Sequence, residues 1–197
     1  MEKHKNKLPL IAWIIFLLTA ATAVLIAWIG DVHRFDLGIS FSAYVGLSVF
    51  TSVMYFFAAV IMIILIVYYI AKTKMNLIKR IVYAVILLCI FGTAFFPFNL
   101  YSEKPTSLTI NLHNDFAISL MLATTVSFIL SVIFAKSKKQ RVINIVSIVY
   151  ATVFIILYFL RFSLLMQTFF IWENLFIVLL LIEFHSEQYA ENGTKDK

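Results

Sequence analysis

Two histidines with carboxylates close by are the residues of this chain whose types suit proton transfer or metal ligation. His33 lies between Asp31 and Asp36, and His113 is followed by Asn114 and Asp115. An imidazole titrates near neutrality and suits general-base work; with carboxylates it also forms zinc-type ligand sets. No two of these residues show a recognised ligand spacing such as HExxH, so the sequence calls for no metal and no cofactor. A second polar group, Arg161, Gln167, Glu173 and Asn174, interrupts an apolar stretch. With Gln167 taken as the apex of a turn, Arg161 and Glu173 fall at similar depth on adjacent antiparallel helices. That geometry predicts a salt bridge facing the bundle interior, with Asn174 nearby. The candidate ligand-binding residues are therefore His113, Asp115, His33, Asp31, Arg161, Glu173 and Asn174, and no catalytic residue is assigned.

The elements that must position these residues are membrane spans. Hydrophobic residues make up 62% of the 197, charged residues only 13%, and mean hydropathy is +0.97. Apolar runs of about 18 residues or more recur along the chain, which marks transmembrane helices instead of a soluble core. The spans fall at about 8–29, 47–70, 81–98, 116–134, 142–163 and 168–184. Each is close to the ~20 residues that cross ~30 Å of hydrocarbon. The predicted fold is all-α: one domain over 1–197, six transmembrane helices in a single bundle, and a polar tail over 185–197. The first run is longer than the apolar region of a cleaved signal peptide and is read as a retained anchor. Cys89, the one cysteine, lies within an apolar run and permits no disulfide inside the chain.

Basic residues set the orientation, because Lys and Arg stay preferentially on the cytoplasmic side. Lys3, Lys5 and Lys7, then Lys72, Lys74, Lys79 and Arg80, then Lys136, Lys138, Lys139 and Arg141, and finally Lys195 and Lys197 all fall on one side. Arg34, Lys104 and Arg161 fall on the other. Both termini are thus expected in the cytoplasm, and the net charge of +6 reads as topology and contact with anionic lipid, with no need for nucleic acid. His4, Glu183, His185 and Glu187 then belong to cytoplasmic tails, and the stretch 99–113 faces outward. Pro97 ends the third span. Asn111 or Asn114 is expected to cap the fourth, with Asp115 at the positive end of its dipole. IVYA at 81–84 recurs at 148–151, and IAKTK at 70–74 echoes FAKSK at 134–138, a pattern compatible with an internal repeat.

Gly92, then Phe96-Pro97 near the end of the third span, then His113 with Ala117 one turn later, resemble the bacterial six-helix membrane family of uncharacterised function. A related pattern occurs in DRAM-type membrane proteins, and Ile39-Ser40, Tyr44 and Gly46 look like the first-loop motif of the bacterial family. The resemblance implies six spans in a bacterial cytoplasmic membrane and an outward site containing His113, and no particular chemistry. The expected function is that of a non-catalytic multi-pass membrane protein whose outer polar rim binds a lipid, a small molecule or a partner protein. The alternatives are a membrane-embedded lipid hydrolase or transferase using His113, and a small-solute transporter. Against a transporter stands the absence of ionisable residues at mid-depth in spans one to four.

Overall fold

A computed structural model describes residues 49–72, 75–96 and 107–194, with scattered helical positions between Ile11 and Leu25. Among the described residues every regular element is helical: α1 (Val49–Lys72), α2 (Leu77–Phe95), α3 (Ser107–Ile133), α4 (Lys138–Phe159), the short α5 (Ser163–Gln167) and α6 (Phe169–Thr194). Three segments, Leu77–Phe95, Leu108–Ile133 and Lys138–Phe159, are long and apolar enough to cross a bilayer. The chain is an all-α membrane protein. Asp31, His33 and most of the expected first span lie outside the described residues.

Local sequence sets the helix ends. The Asn76 side chain accepts from the Ile78 amide at 2.8 Å, and Ser137 accepts from the Gln140 amide at 3.1 Å, so each supplies an oxygen to an otherwise orphaned N–H in the first turn of α2 and α4. Gln140 returns the favour by accepting from the Lys136 amide at 3.0 Å, which closes the tight turn between α3 and α4. At the far end of α4 the Arg161 amide donates to Tyr158 O and the Phe162 amide to Leu157 O. These are the two bonds of a Schellman motif, and they put Arg161 at the left-handed position, with φ of 49°.

Three expectations are corrected. Helix α3 starts at Ser107, not near 116, so Asn111, Asn114 and Asp115 lie inside the helix and cap nothing. No Gly or Pro stands between Ser107 and Asp115, and nothing local stops the helix from running back toward Pro105. Helix α6 continues through Thr194, so most of the expected tail is helical. The turn before it lies at Leu160–Phe162 and not at Gln167, which belongs to α5. The IVYA repeat also marks unequal positions: Tyr83 is six residues into α2, Tyr150 twelve into α4.

Packing is inverted relative to a water-soluble protein. Phe57, Ile64, Leu88, Leu108, Ile133, Val149 and Phe159 stand exposed, while Lys79, Asn144, Ser127, Ser131 and Glu183 are buried. Polar groups turned inward and apolar ones outward are what a hydrocarbon solvent selects. Helix α6 joins two apolar clusters, giving Leu180 to one with Ala59, Tyr83, Ile86 and Ile90, and Phe176 to another with Phe128, Ala151 and Phe154.

The α2–α3 pair closes on a small-residue joint. A Cβ at Gly92 would run into the Phe116 ring, which Phe96 also stacks upon, with centroids 6.0 Å apart and planes 8° off parallel. Opposite signs follow for two glycine exchanges, measured by unfolding in detergent. Gly92→Ala should destabilise by about 1–3 kcal/mol through overpacking, whereas Arg161→Gly should be neutral or stabilise by up to about 1 kcal/mol by relieving left-handed backbone.

Candidate functional site

Among the described residues, those expected to form an outer site do not converge, while Asp31 and His33 lie outside them. His113 is buried, and its Nδ1–H donates to Phe96 O at 2.7 Å; a carbonyl can only accept, which fixes that proton on Nδ1. It also bonds the backbone at Thr93. The imidazole thus satisfies the open end of α2 from the neighbouring helix. Gly92, Phe96 and His113, the residues of the family-like motif, together with Phe116 build this one joint between α2 and α3. Asp115 is exposed on α3.

Arg161 and Glu173 do not pair. Arg161 sits in the turn itself, exposed, and among the described residues its side chain makes no hydrogen bond or ion pair. The turn comes six residues earlier than Gln167, so Arg161 and Glu173 do not share a depth. Glu173 is half-buried and acts electrostatically on Tyr55 of α1, whose hydroxyl bonds Thr93. Asn174 turns back on its own helix, Nδ2 donating to Phe170 O at 2.8 Å.

A built polar site lies at the other end of the bundle, where the basic turns are. Lys79, expected in a loop, is 4% exposed, and Glu183, expected in a tail, is 0% exposed. Lys79 Nζ donates to Ser131 Oγ at 2.9 Å, and Ser131 in turn donates to Glu183 Oε1. Ser127 Oγ donates to the same oxygen at 2.8 Å, and the Tyr83 hydroxyl faces the carboxylate. Two helices therefore hold one carboxylate contributed by a third.

The register of the helices explains the convergence. Lys79 and Tyr83 lie two and six residues from the start of α2. Ser131, Ser127 and Thr124 lie two, six and nine residues from the end of α3, and Gln140, Asn144 and Ser147 two, six and nine residues from the start of α4. Spacings of three and four keep each set on one helix face. Because successive helices run antiparallel, equal counts mean equal depth: about 3 Å and 9 Å from the helix ends for the first two levels. All eight residues are buried.

Glu183 enters at the second level. Phe154 of α4 touches Trp172 and Phe176 of α6 at ring distances of 6.2 and 5.7 Å. From that contact Asn144 lies ten residues toward the basic end, and Glu183 seven residues beyond Phe176 and eleven beyond Trp172. Counting at the helical rise brings Asn144 and Glu183 to the same depth. Here the polar inventory is incomplete: among the described residues, Glu183 Oε2, both polar atoms of the Asn144 amide and the Thr124 hydroxyl are buried without a hydrogen-bond partner. Each such group costs free energy unless something completes it, which marks the level as a place for a polar ligand.

These residues were missed because they were read by type and not by period. Lys79 adjoins Arg80 in a basic run, and the serines and Asn144 are unremarkable singly. Their spacing of three and four on otherwise apolar helices is the signal that finds them.

No model of a known protein family matches the chain, and no curated protein and no solved structure is similar to it. The resemblance to the bacterial six-helix family therefore rests on the motif residues alone.

Proposed function

We propose that this protein is a six-span membrane protein of the bacterial cytoplasmic membrane, with both termini in the cytoplasm, that binds a small polar solute at the basic end of its bundle and moves it across the bilayer. The carrying observation is the buried second level, where Glu183 Oε2 and the Asn144 amide have no protein partner on helices whose outer faces are apolar. Intramembrane ionisable residues that face the bundle interior mark solute and ion pathways. Lys79, buried near the basic end of α2 and linked through Ser131 to Glu183, adds an ionisable partner to that site.

Orientation rests on charge. With Lys79 withdrawn into the bundle, twelve basic residues remain on the side of the α1–α2 and α3–α4 turns against three on the other. The polar level then lies about 9 Å inside the cytoplasmic helix ends. The outer-rim and His113 hydrolase readings gain less support, because the His113 imidazole is engaged by backbone at Phe96 and Thr93.

Orientation is checked by cysteines at Ser102 and Ser137 in a Cys89-free background: an impermeant thiol reagent should label the first from outside and spare the second, and the reverse result inverts the bundle. Function is checked in proteoliposomes with a panel of labelled amino acids, polyols and small amides. At least one should enter faster than into protein-free vesicles, and Asn144→Leu should slow it by about tenfold. Entry of every panel member at the protein-free rate would contradict transport.

A further inference from the structure

We propose that the Lys79–Ser131–Glu183 chain is a proton relay, so that the ion coupled to solute movement is the proton; this deepens the transport reading and rests on it. The chain is continuous. Lys79 Nζ donates to Ser131 Oγ at 2.9 Å, and the Ser131 hydroxyl donates onward to Glu183 Oε1. One proton is handed on in the same direction at both links. A Lys79 N–H bond breaks as an O–H bond forms on Ser131, and the original Ser131 O–H bond breaks as one forms on Glu183. An ammonium and a carboxylate become an amine and a carboxylic acid, with no other reactant required.

The direct hydrogen-bonded chain favours a proton, which passes along it without any of the three groups separating. The described side chains that bond the carboxylate or act on it electrostatically are Lys79 and Tyr83 on α2 and Ser127 and Ser131 on α3. Lys79 is the one cation among them, so the site is neutral both before and after the transfer.

The two ends of the relay have different access. Lys79 lies two residues from the start of α2, about 3 Å from the basic end, where water can return a proton to the amine. Glu183 reaches the deeper level, at the depth of the Asn144 amide, and among the described residues its Oε2 is the oxygen without a hydrogen-bond partner. A carboxylic acid protonated there offers the solute site a donor, and a carboxylate offers it an acceptor. Loading and unloading the proton thereby changes what the site can hold.

The test is infrared difference spectroscopy of the full-length protein in lipid during a pH titration, read at the carboxylic-acid C=O stretch. A band should grow as pH falls, vanish in Glu183→Gln and persist in Glu173→Gln. Ser131→Ala, which keeps the acid and removes the bridge, should shift the midpoint of the band while leaving its amplitude. Retention of the full band in Glu183→Gln would overturn the proposal. So would solute uptake driven by a sodium gradient and indifferent to a pH gradient, and that outcome would leave transport itself standing. A titrating Glu183 band in a protein that moves no panel solute would keep the proton site and remove the transport reading.

Discussion

Among the described residues, the hydrogen bonds received by Glu183 tie three helices together at one depth. In a bilayer a carboxylate has no water to solvate it, so its partners must come from neighbouring helices. Ser127 and Ser131 donate to a single oxygen, and Lys79 brings its charge through Ser131. To satisfy that one group, α2, α3 and α6 must meet at a fixed depth and with fixed faces inward. The level counts show how closely the helices comply, since the polar residues of α2, α3 and α4 recur two and six residues from their ends.

The opposite end of the α2–α3 pair is held by different physics. Gly92 removes a side chain so that Phe116 can lie on the backbone of α2, and Phe96 covers the ring from the helix end. His113 then supplies a donor to the carbonyl of Phe96, which the finished helix leaves open. Close backbone approach through glycine, aromatic stacking and one polar latch are general devices of helix association in lipid. The two ends thus divide the work: apolar fit and a satisfied histidine at one, a charged and incompletely satisfied level at the other. Polar groups left incomplete in a packed bundle belong to function more naturally than to stability.

Much of this was legible in the sequence, for physical reasons that also set the limit. Apolar runs are long-range signals, and the spans around Leu77–Phe95 and Lys138–Phe159 could be read from them. Helix starts are local, and the 107–115 stretch interleaves Leu108, Ile110 and Leu112 with polar residues that a helix tolerates, so α3 begins earlier than expected. The site was obscured because charge was read as topology: Lys79 looked like its neighbour Arg80, yet only Lys79 lies on the inward face, four residues from Tyr83. Arg161 misled in the other direction, since a turn position that favours glycine was occupied by a residue suggestive of pairing. Which helices pack together is a tertiary fact, and no spacing within α6 alone could say that Glu183 meets serines on α3.

The central claim is that Lys79 and Glu183 are energetically one unit inside the bundle, and a double-mutant cycle on unfolding in detergent tests it most directly. Lys79→Met and Glu183→Met should each destabilise by about 3–5 kcal/mol, because each strands a buried charge. The double variant, with neither charge left, should recover most of that loss. Strictly additive losses, or single variants as stable as the parent, would show that the two residues do not share a buried site.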